Sequence, residues 1–192
     1  MSVPALAVDQ EADRIYARLM ARAAGEGNDA VLACIYASRC TGGGAMPDWL
    51  GLTPDAFHAM LDFHFPGYDP GQVPNSGRRA RPDRLDEIAD LRRLMLRDRA
   101  GATPSELWMA DIVAAGCMAS DHLWQDLGLW SRPDLTALMR RNFPGLAVRN
   151  RKDMKWKRFL YKRLCEAEGI YACRSPSCEV CSDYRACFGP EE

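Results

Sequence analysis

The segment Thr103-Pro104-Ser105-Glu106-Leu107-Trp108-Met109-Ala110-Asp111-Ile112-Val113-Ala114-Ala115-Gly116 carries a helix start in its first four residues and a helical apolar face in the rest. The threonine is a preferred N-cap, the proline fits the first helical position, and the glutamate three residues on completes a capping box. Trp108, Ile112 and Ala115 then follow at spacings of four and three, the period of a helix face.

Outward from this segment the same grammar repeats. Residues 9–24 place Ala12, Ile15, Leu19 and Ala23 at helical spacing, and a glycine-rich break precedes a shorter run over 30–38. Thr53-Pro54-Asp55 opens a helix with Phe57, Met60, Leu61 and His64 on one side. Residues 83–100 carry Leu85, Ile88, Leu91 and Met95, and 121–128 read as a short helix stopped by Gly128. Ser131-Arg132-Pro133-Asp134 starts another helix, Asn142-Phe143-Pro144-Gly145 turns the chain, and a last helix spans about 153–168 with Trp156, Phe159, Leu160 and Leu164 on its apolar face. No segment alternates as a strand does, and no internal repeat is present.

The expected fold is therefore all-α: a compact helical domain over 1–168, followed by a cysteine-rich metal-binding loop and tail over 169–192 of the same domain. Residues 66–82, with four prolines and three glycines, read as a long exposed loop. Gly42-Gly43-Gly44 reads as an isolated flexible loop. The tryptophans and methionines fall mostly at core-facing positions.

At 192 residues, 47% hydrophobic and 27% charged, the chain has the composition of a soluble globular domain rather than a disordered one. A formal net charge of -1 excludes a global field that would draw nucleic acid or an anionic membrane. No stretch approaches the roughly 18 apolar residues of a membrane helix. The first eight residues lack the features of an export signal, so a cytoplasmic location is expected.

Of eight cysteines, Cys34, Cys40, Cys117 and Cys165 are scattered, whereas Cys173, Cys178, Cys181 and Cys187 fall within fifteen residues as C-x4-C-x2-C-x5-C. In a reducing cytosol such clustering reads as metal ligation. Thiolates select zinc, copper(I) or iron–sulfur clusters over hard cations. A structural zinc site usually joins two short knuckles from distant positions, and only one C-x2-C is present here. A continuous wrap with loops of four and five residues favours an iron–sulfur core, with zinc as the competing reading. Pro176 stiffens the first loop and Phe188 offers cover on one side, although loop punctuation and a simple apolar contact explain both equally well.

The four-cysteine spacing, the blocks His122-Leu123-Trp124-Gln125-Asp126-Leu127-Gly128 and Met154-Lys155-Trp156-Lys157-Arg158-Phe159, and the ending Cys187-Phe188-Gly189 together resemble the NifQ family, the molybdenum–iron–sulfur proteins of nitrogenase cofactor biosynthesis. The resemblance covers about 108–189 well and 52–67 more loosely. It implies a cytoplasmic, non-enzymatic carrier with an iron–sulfur cluster of [4Fe-4S] or [3Fe-4S] type. Such a carrier takes up molybdenum from molybdate as a Mo–Fe–S species and hands it to the scaffold NifEN with the reductase NifH. It also implies that Cys173, Cys178, Cys181 and Cys187 are the ligands, since all four match the family's motif. Two rivals stand beside it: a plain iron–sulfur electron-transfer protein and a zinc-stapled helical interaction module.

Cys117, His122 and Cys165 are candidates for a further or temporary ligand, against the commoner fate of a buried thiol or a hydrogen-bonded structural histidine. Cys34 and Cys40 are weaker candidates. His58 and His64, six residues apart, do not share a helix face and read as structural. Residues 149–163 hold eight basic side chains against Asp153 alone. Lys155, Arg158 and Lys162 among them share one face, which reads as an anion-attracting or partner-docking stripe or as a plain solvated surface. Nucleic acid is disfavoured, because residues 166–192 carry six acids against two bases. No G-x-S-x-G, phosphate-binding glycine loop or H-E-x-x-H occurs, so no nucleophile–base catalysis is expected.

Overall fold

The computed structural model describes the backbone of residues 5–71 and 84–168 and the side chains of residues 10–71 and 84–167. Its regular elements are helices, with no strand among the described residues. They are α1 (Ala5–Met20), α2 (Asp29–Cys40), a one-turn element Asp48–Gly51, α3 (Pro54–His64), α4 (Leu85–Arg97), α5 (Ser105–Gly116), α6 (Leu123–Asp126), α7 (Arg132–Asn142), α8 (Pro144–Arg149) and α9 (Trp156–Glu168). The expected segment 169–192 and most of the expected 66–82 loop lie outside the described residues.

The caps read from sequence form as hydrogen bonds. Thr53 accepts the Ala56 amide at 3.2 Å, and Ser131 accepts the Asp134 amide at 3.4 Å. At α5 the buried Glu106 carboxylate takes three backbone amides: Gly101 at 2.7 Å, Ala102 at 2.8 Å and Thr103 at 3.2 Å. Three donors on one carboxylate stabilise it as an anion and lock the turn before the helix. α5 then runs through the middle of the core, where Met109, Ala110, Ile112, Val113 and Ala114 are fully buried. A helix apolar on nearly all sides must be covered on nearly all sides. α3, α4, α6 and the Asp48–Gly51 turn all pack on it.

Several details depart from the sequence reading. Gly44 is no isolated loop residue: with φ at +66° it lies against Gly128, where a Cβ would come within 2.8 Å of the Gly128 nitrogen. The next amide, that of Ala45, donates to the Asp126 carbonyl at 2.8 Å. Asn142-Phe143-Pro144-Gly145 does bend the chain, but Pro144 also opens the unforeseen α8, since proline suits a first helical position. The Asp48–Gly51 turn was likewise unforeseen. Trp49, Leu50 and Gly51 all take left-handed backbone there, and a Cβ on Gly51 would sit 2.5 Å from that of Ala115. Only glycine lets the turn lie on α5. Among the tryptophans Trp156 alone is buried; Trp49, Trp108 and Trp124 are half-buried and Trp130 is 49% exposed. No helix among the described residues is long and apolar enough to cross a membrane.

Candidate metal centre and its helical base

Cys173, Cys178, Cys181 and Cys187, together with Pro176 and Phe188, lie outside the described residues. Their donor chemistry is that of four soft thiolates in one short stretch, which fits an iron–sulfur core or zinc and not a hard cation. What the structure describes is the helix that precedes them in the chain: α9 ends at Glu168, five residues before Cys173.

α9 is attached to the body by apolar and polar contacts. Trp156, Phe159 and Leu160 are buried, and Leu164 packs on the core edge. Between them sits Lys157, only 7% exposed, one of the eight basic residues that the sequence places between 149 and 163. Its ammonium donates to the Ala119 carbonyl at 2.9 Å, to the Asp121 carbonyl at 2.7 Å and to the buried carboxylate of Asp126. An ammonium has three protons, and all three are used. The other Asp126 oxygen accepts the Asp121 amide at 3.3 Å, closing the loop before α6. Burial outweighs the pull of Lys157 and holds the Asp126 carboxyl above its ordinary range.

One turn along α9, Tyr161 donates its hydroxyl proton to Glu87 and accepts from Arg84 at 3.0 Å. Arg84 also donates to Glu87 at 2.7 Å and to the Met118 carbonyl at 3.1 Å. The tie joins the start of α4, the end of α5 and α9.

Cys117 is fully buried in this region, and burial pushes its thiol up to about 12, against a lowering pull from Lys157. A thiol so placed is a poor source of thiolate. Cys165 is half-buried on α9, and His122 is half-buried at the start of α6, its amide donating to Gln125 at 3.3 Å. Cys117, His122 and Cys165 do not form a metal site by themselves: among the described residues no group of three or more His, Cys, Asp or Glu is placed to hold an ion. Cys34 is buried and its thiol stands at about 11, while Cys40 is half-buried with its thiol also raised.

The exposed basic cluster of residues 149–163 is smaller than its sequence suggests. Lys157 is buried, Arg149 pairs with Asp98, Arg163 pairs with Glu166, and Asp153 is taken by Arg132 at 2.8 Å. Lys155 and Arg158 are half-buried and Lys162 is exposed. Lys155 precedes α9, its carbonyl accepting the Phe159 amide at 3.0 Å.

A second polar assembly was missed by sequence reasoning. His64, fully buried, lies 2.6 Å from Asp29 through Nδ1 and 2.8 Å from the Ser105 hydroxyl through Nε2. Asn28 donates to Ser105 at 2.9 Å and to Asn142 at 2.7 Å, and Asn142 donates back at 3.0 Å. The second Asp29 oxygen takes the amides of Gly25 and Glu26. Carboxylate, imidazole and hydroxyl stand in the order of a hydrolase relay, but Ser105 is 1% exposed and has no path to a substrate. The assembly pins α2, α3, α5 and α7 together, as the structural reading of His64 expects. Its sequence signal was faint: a polar pair opening α2, and a serine directly after a proline.

Helical body and donor set define the class: a protein helical over its described residues, whose last helix leads into a four-cysteine segment. The chain belongs to the NifQ family, whose model matches residues 31–189. Protein NifQ of Azotobacter vinelandii is 46% identical over 167 residues, covering 82% of this chain and 86% of that protein. Protein NifQ of Rhodobacter capsulatus is 36% identical over 153 residues, covering 79% and 83%. Protein NifQ of Klebsiella pneumoniae is 49% identical over 81 residues, covering 42% and 48%. No solved structure matches. The family match begins well before the blocks that carried the resemblance and takes in α2 and α3.

Proposed function

We propose that this chain carries molybdenum as a Mo–Fe–S species and donates it to assembly of the iron–molybdenum cofactor of nitrogenase. Membership of the NifQ family implies the coarser role, in nitrogen fixation. The observation that carries the finer reading is the C-x4-C-x2-C-x5-C segment of Cys173, Cys178, Cys181 and Cys187 in a chain of that family. Four thiolates at this spacing suit an iron–sulfur core of [4Fe-4S] or [3Fe-4S] type, whose sulfides add soft ligands for molybdenum. The protein acts as a carrier and not as an enzyme, in the cytoplasm, taking metal from molybdate and passing it to NifEN with NifH. Lys155, Arg158 and Lys162, at and within the helix that precedes the cysteines in the chain, attract the oxyanion or an acidic partner surface in this reading.

The test is metal analysis of anaerobically purified protein coupled to growth. The chain should contain iron, sulfide and some molybdenum, and Cys178→Ala or Cys181→Ala should abolish the visible absorption, whereas Cys34→Ala should not. A deletion strain should grow poorly on dinitrogen at low molybdate and recover at high molybdate. Stoichiometric zinc without sulfide would identify the stapled module instead. A defect equal at every molybdate level, with protein that never carries molybdenum, would identify the plain electron-transfer protein.

A further inference from the structure

We infer that Asp126 and Lys157 are the positioning pair of the metal centre: they set the register of α9, and through it the point from which the cysteine segment departs. The inference rests on the reading that Cys173, Cys178, Cys181 and Cys187 hold a cluster.

Lys157 lies in the first turn of α9, and its three acceptors come from one short stretch, Ala119, Asp121 and Asp126. Tyr161, four residues on and so on the same stripe of the helix, is tied to Glu87 and Arg84. Apolar contacts hold a helix against a core without direction, since they scale with area. An ammonium in a three-acceptor cage has one place to be. Two directional ties a turn apart therefore forbid α9 from rolling or sliding over Trp156, Phe159 and Leu160.

The energetics point the same way. A buried ion pair contributes little net stability over well-packed apolar side chains, because desolvation offsets the attraction. Asp126 shows that cost directly, its carboxyl being raised by burial despite its partner. What the pair supplies beyond stability is geometry. A four-thiol site needs its ligands within about 0.5 Å of the productive arrangement, and α9 is the described element that leads into them. The two sequence blocks that carry the family resemblance upstream of the cysteines meet at this bond, Asp126 from one and Lys157 from the other.

The experiment uses the full chain, loaded anaerobically with iron and sulfide. The double variant Asp126→Leu with Lys157→Met removes both charges at similar volume. It is expected to keep wild-type helix content with a melting temperature lowered by the two carbonyls and one amide left unpaired, and, well below that temperature, to release iron to a chelator about tenfold faster or more, the usual scale for loss of a group that orients metal ligands. Its electron paramagnetic resonance lines, read from the oxidised protein for a [3Fe-4S] core and from the dithionite-reduced protein for a [4Fe-4S] core, should broaden. Wild-type release and line shape in the folded double variant would overturn the inference while leaving the motif assignment intact. Wild-type protein that binds no iron would overturn both, and would be recognised by its indifference to Cys178→Ala. Should the double variant not fold, Lys157→Ala decides: n-propylammonium, which restores the N–H donors, should slow iron release toward wild type, and tetramethylammonium should not. Equal effects of the two cations, or none from either, would refute the role.

Discussion

Two polar assemblies lie inside this helical body, and they differ in kind. The assembly of Asn28, Asp29, His64, Ser105 and Asn142 joins segments up to 114 positions apart and is built mostly of amide, hydroxyl and imidazole groups. The assembly at Asp126 and Lys157 is a formal ion pair caged by carbonyls, with Tyr161, Glu87 and Arg84 beside it. The first ties four helices of the body to one another. The second ties one helix to the body. The difference teaches that burying polar groups serves two ends in one small fold: coherence of the whole, and orientation of the element that leads to the chemistry.

The largest expected effect follows from removing a partner in the first assembly. His64→Ala leaves one oxygen of the buried Asp29 without its ring donor, leaves Ser105 with Asn28 alone and opens a cavity, which together should cost about 3–5 kcal/mol. Urea unfolding followed by far-ultraviolet circular dichroism should show the loss across all helices in one transition. The charge-removing double variant at Asp126 and Lys157 should shift the same midpoint far less. Equal losses would erase the distinction between the two assemblies.

A smaller effect sharpens the contrast through the thiol beside the ion pair. Cys117 titrates at about 12 when folded and near 9 when not, so the native state keeps a proton that the unfolded chain releases. The stability that this contributes is fully present below about pH 9 and is lost as pH rises through about 12. In metal-free protein, iodoacetamide at pH 8 should modify half-buried Cys165 well before Cys117, whose burial keeps it in the unreactive thiol form. Cys34, at about 11, should also react late. Early modification of Cys117 without unfolding would mean that α9 opens away from the body, contrary to a helix fixed at two points.

Helix number and caps were largely legible because they are local. Thr53, Ser131 and Glu106 act through amides at most five residues away, and sequence displays such neighbours directly. The ion pair was half legible. Asp126 and Lys157 both stood in quoted blocks, but a charge looks the same in a list whether it faces water or another charge. The clue was position: Lys157 adjoins Trp156 and falls three residues before Leu160, on the buried side of its helix. The Asp29, His64 and Ser105 chain was illegible, since its members are 35 to 41 positions apart and each has an ordinary local explanation. The left-handed turn at Trp49 and Leu50 was illegible for a related reason. Neither residue prefers that backbone, and it is the packing on α5 that enforces it. The cysteine spacing speaks through sequence alone, since Cys173, Cys178, Cys181 and Cys187 lie outside the described residues.

The smallest effect on stability should come from the exterior of α9. Replacing Lys155, Arg158 and Lys162 together by glutamine removes three positive charges from α9 and the residue before it, a helix fixed by Lys157 and Tyr161. Charge interactions near a surface are each worth less than about 1 kcal/mol and are screened by salt. Urea midpoint and helix content should therefore stay close to wild type, unlike the response to His64→Ala. The charges still shape a local field, and a clustered positive field raises the encounter rate with an anion or an acidic surface. Molybdenum acquisition or transfer should accordingly be slower at low ionic strength and approach wild type as salt rises. If the triple variant instead loses helix content, Lys155 and Arg158 belong to the packing of α9, in keeping with their half-buried setting, and the two sides of the helix share one structural task. Unchanged rates at every salt concentration in a folded variant would leave the stripe as plain solvated surface, and would place the whole functional weight of α9 on its buried side.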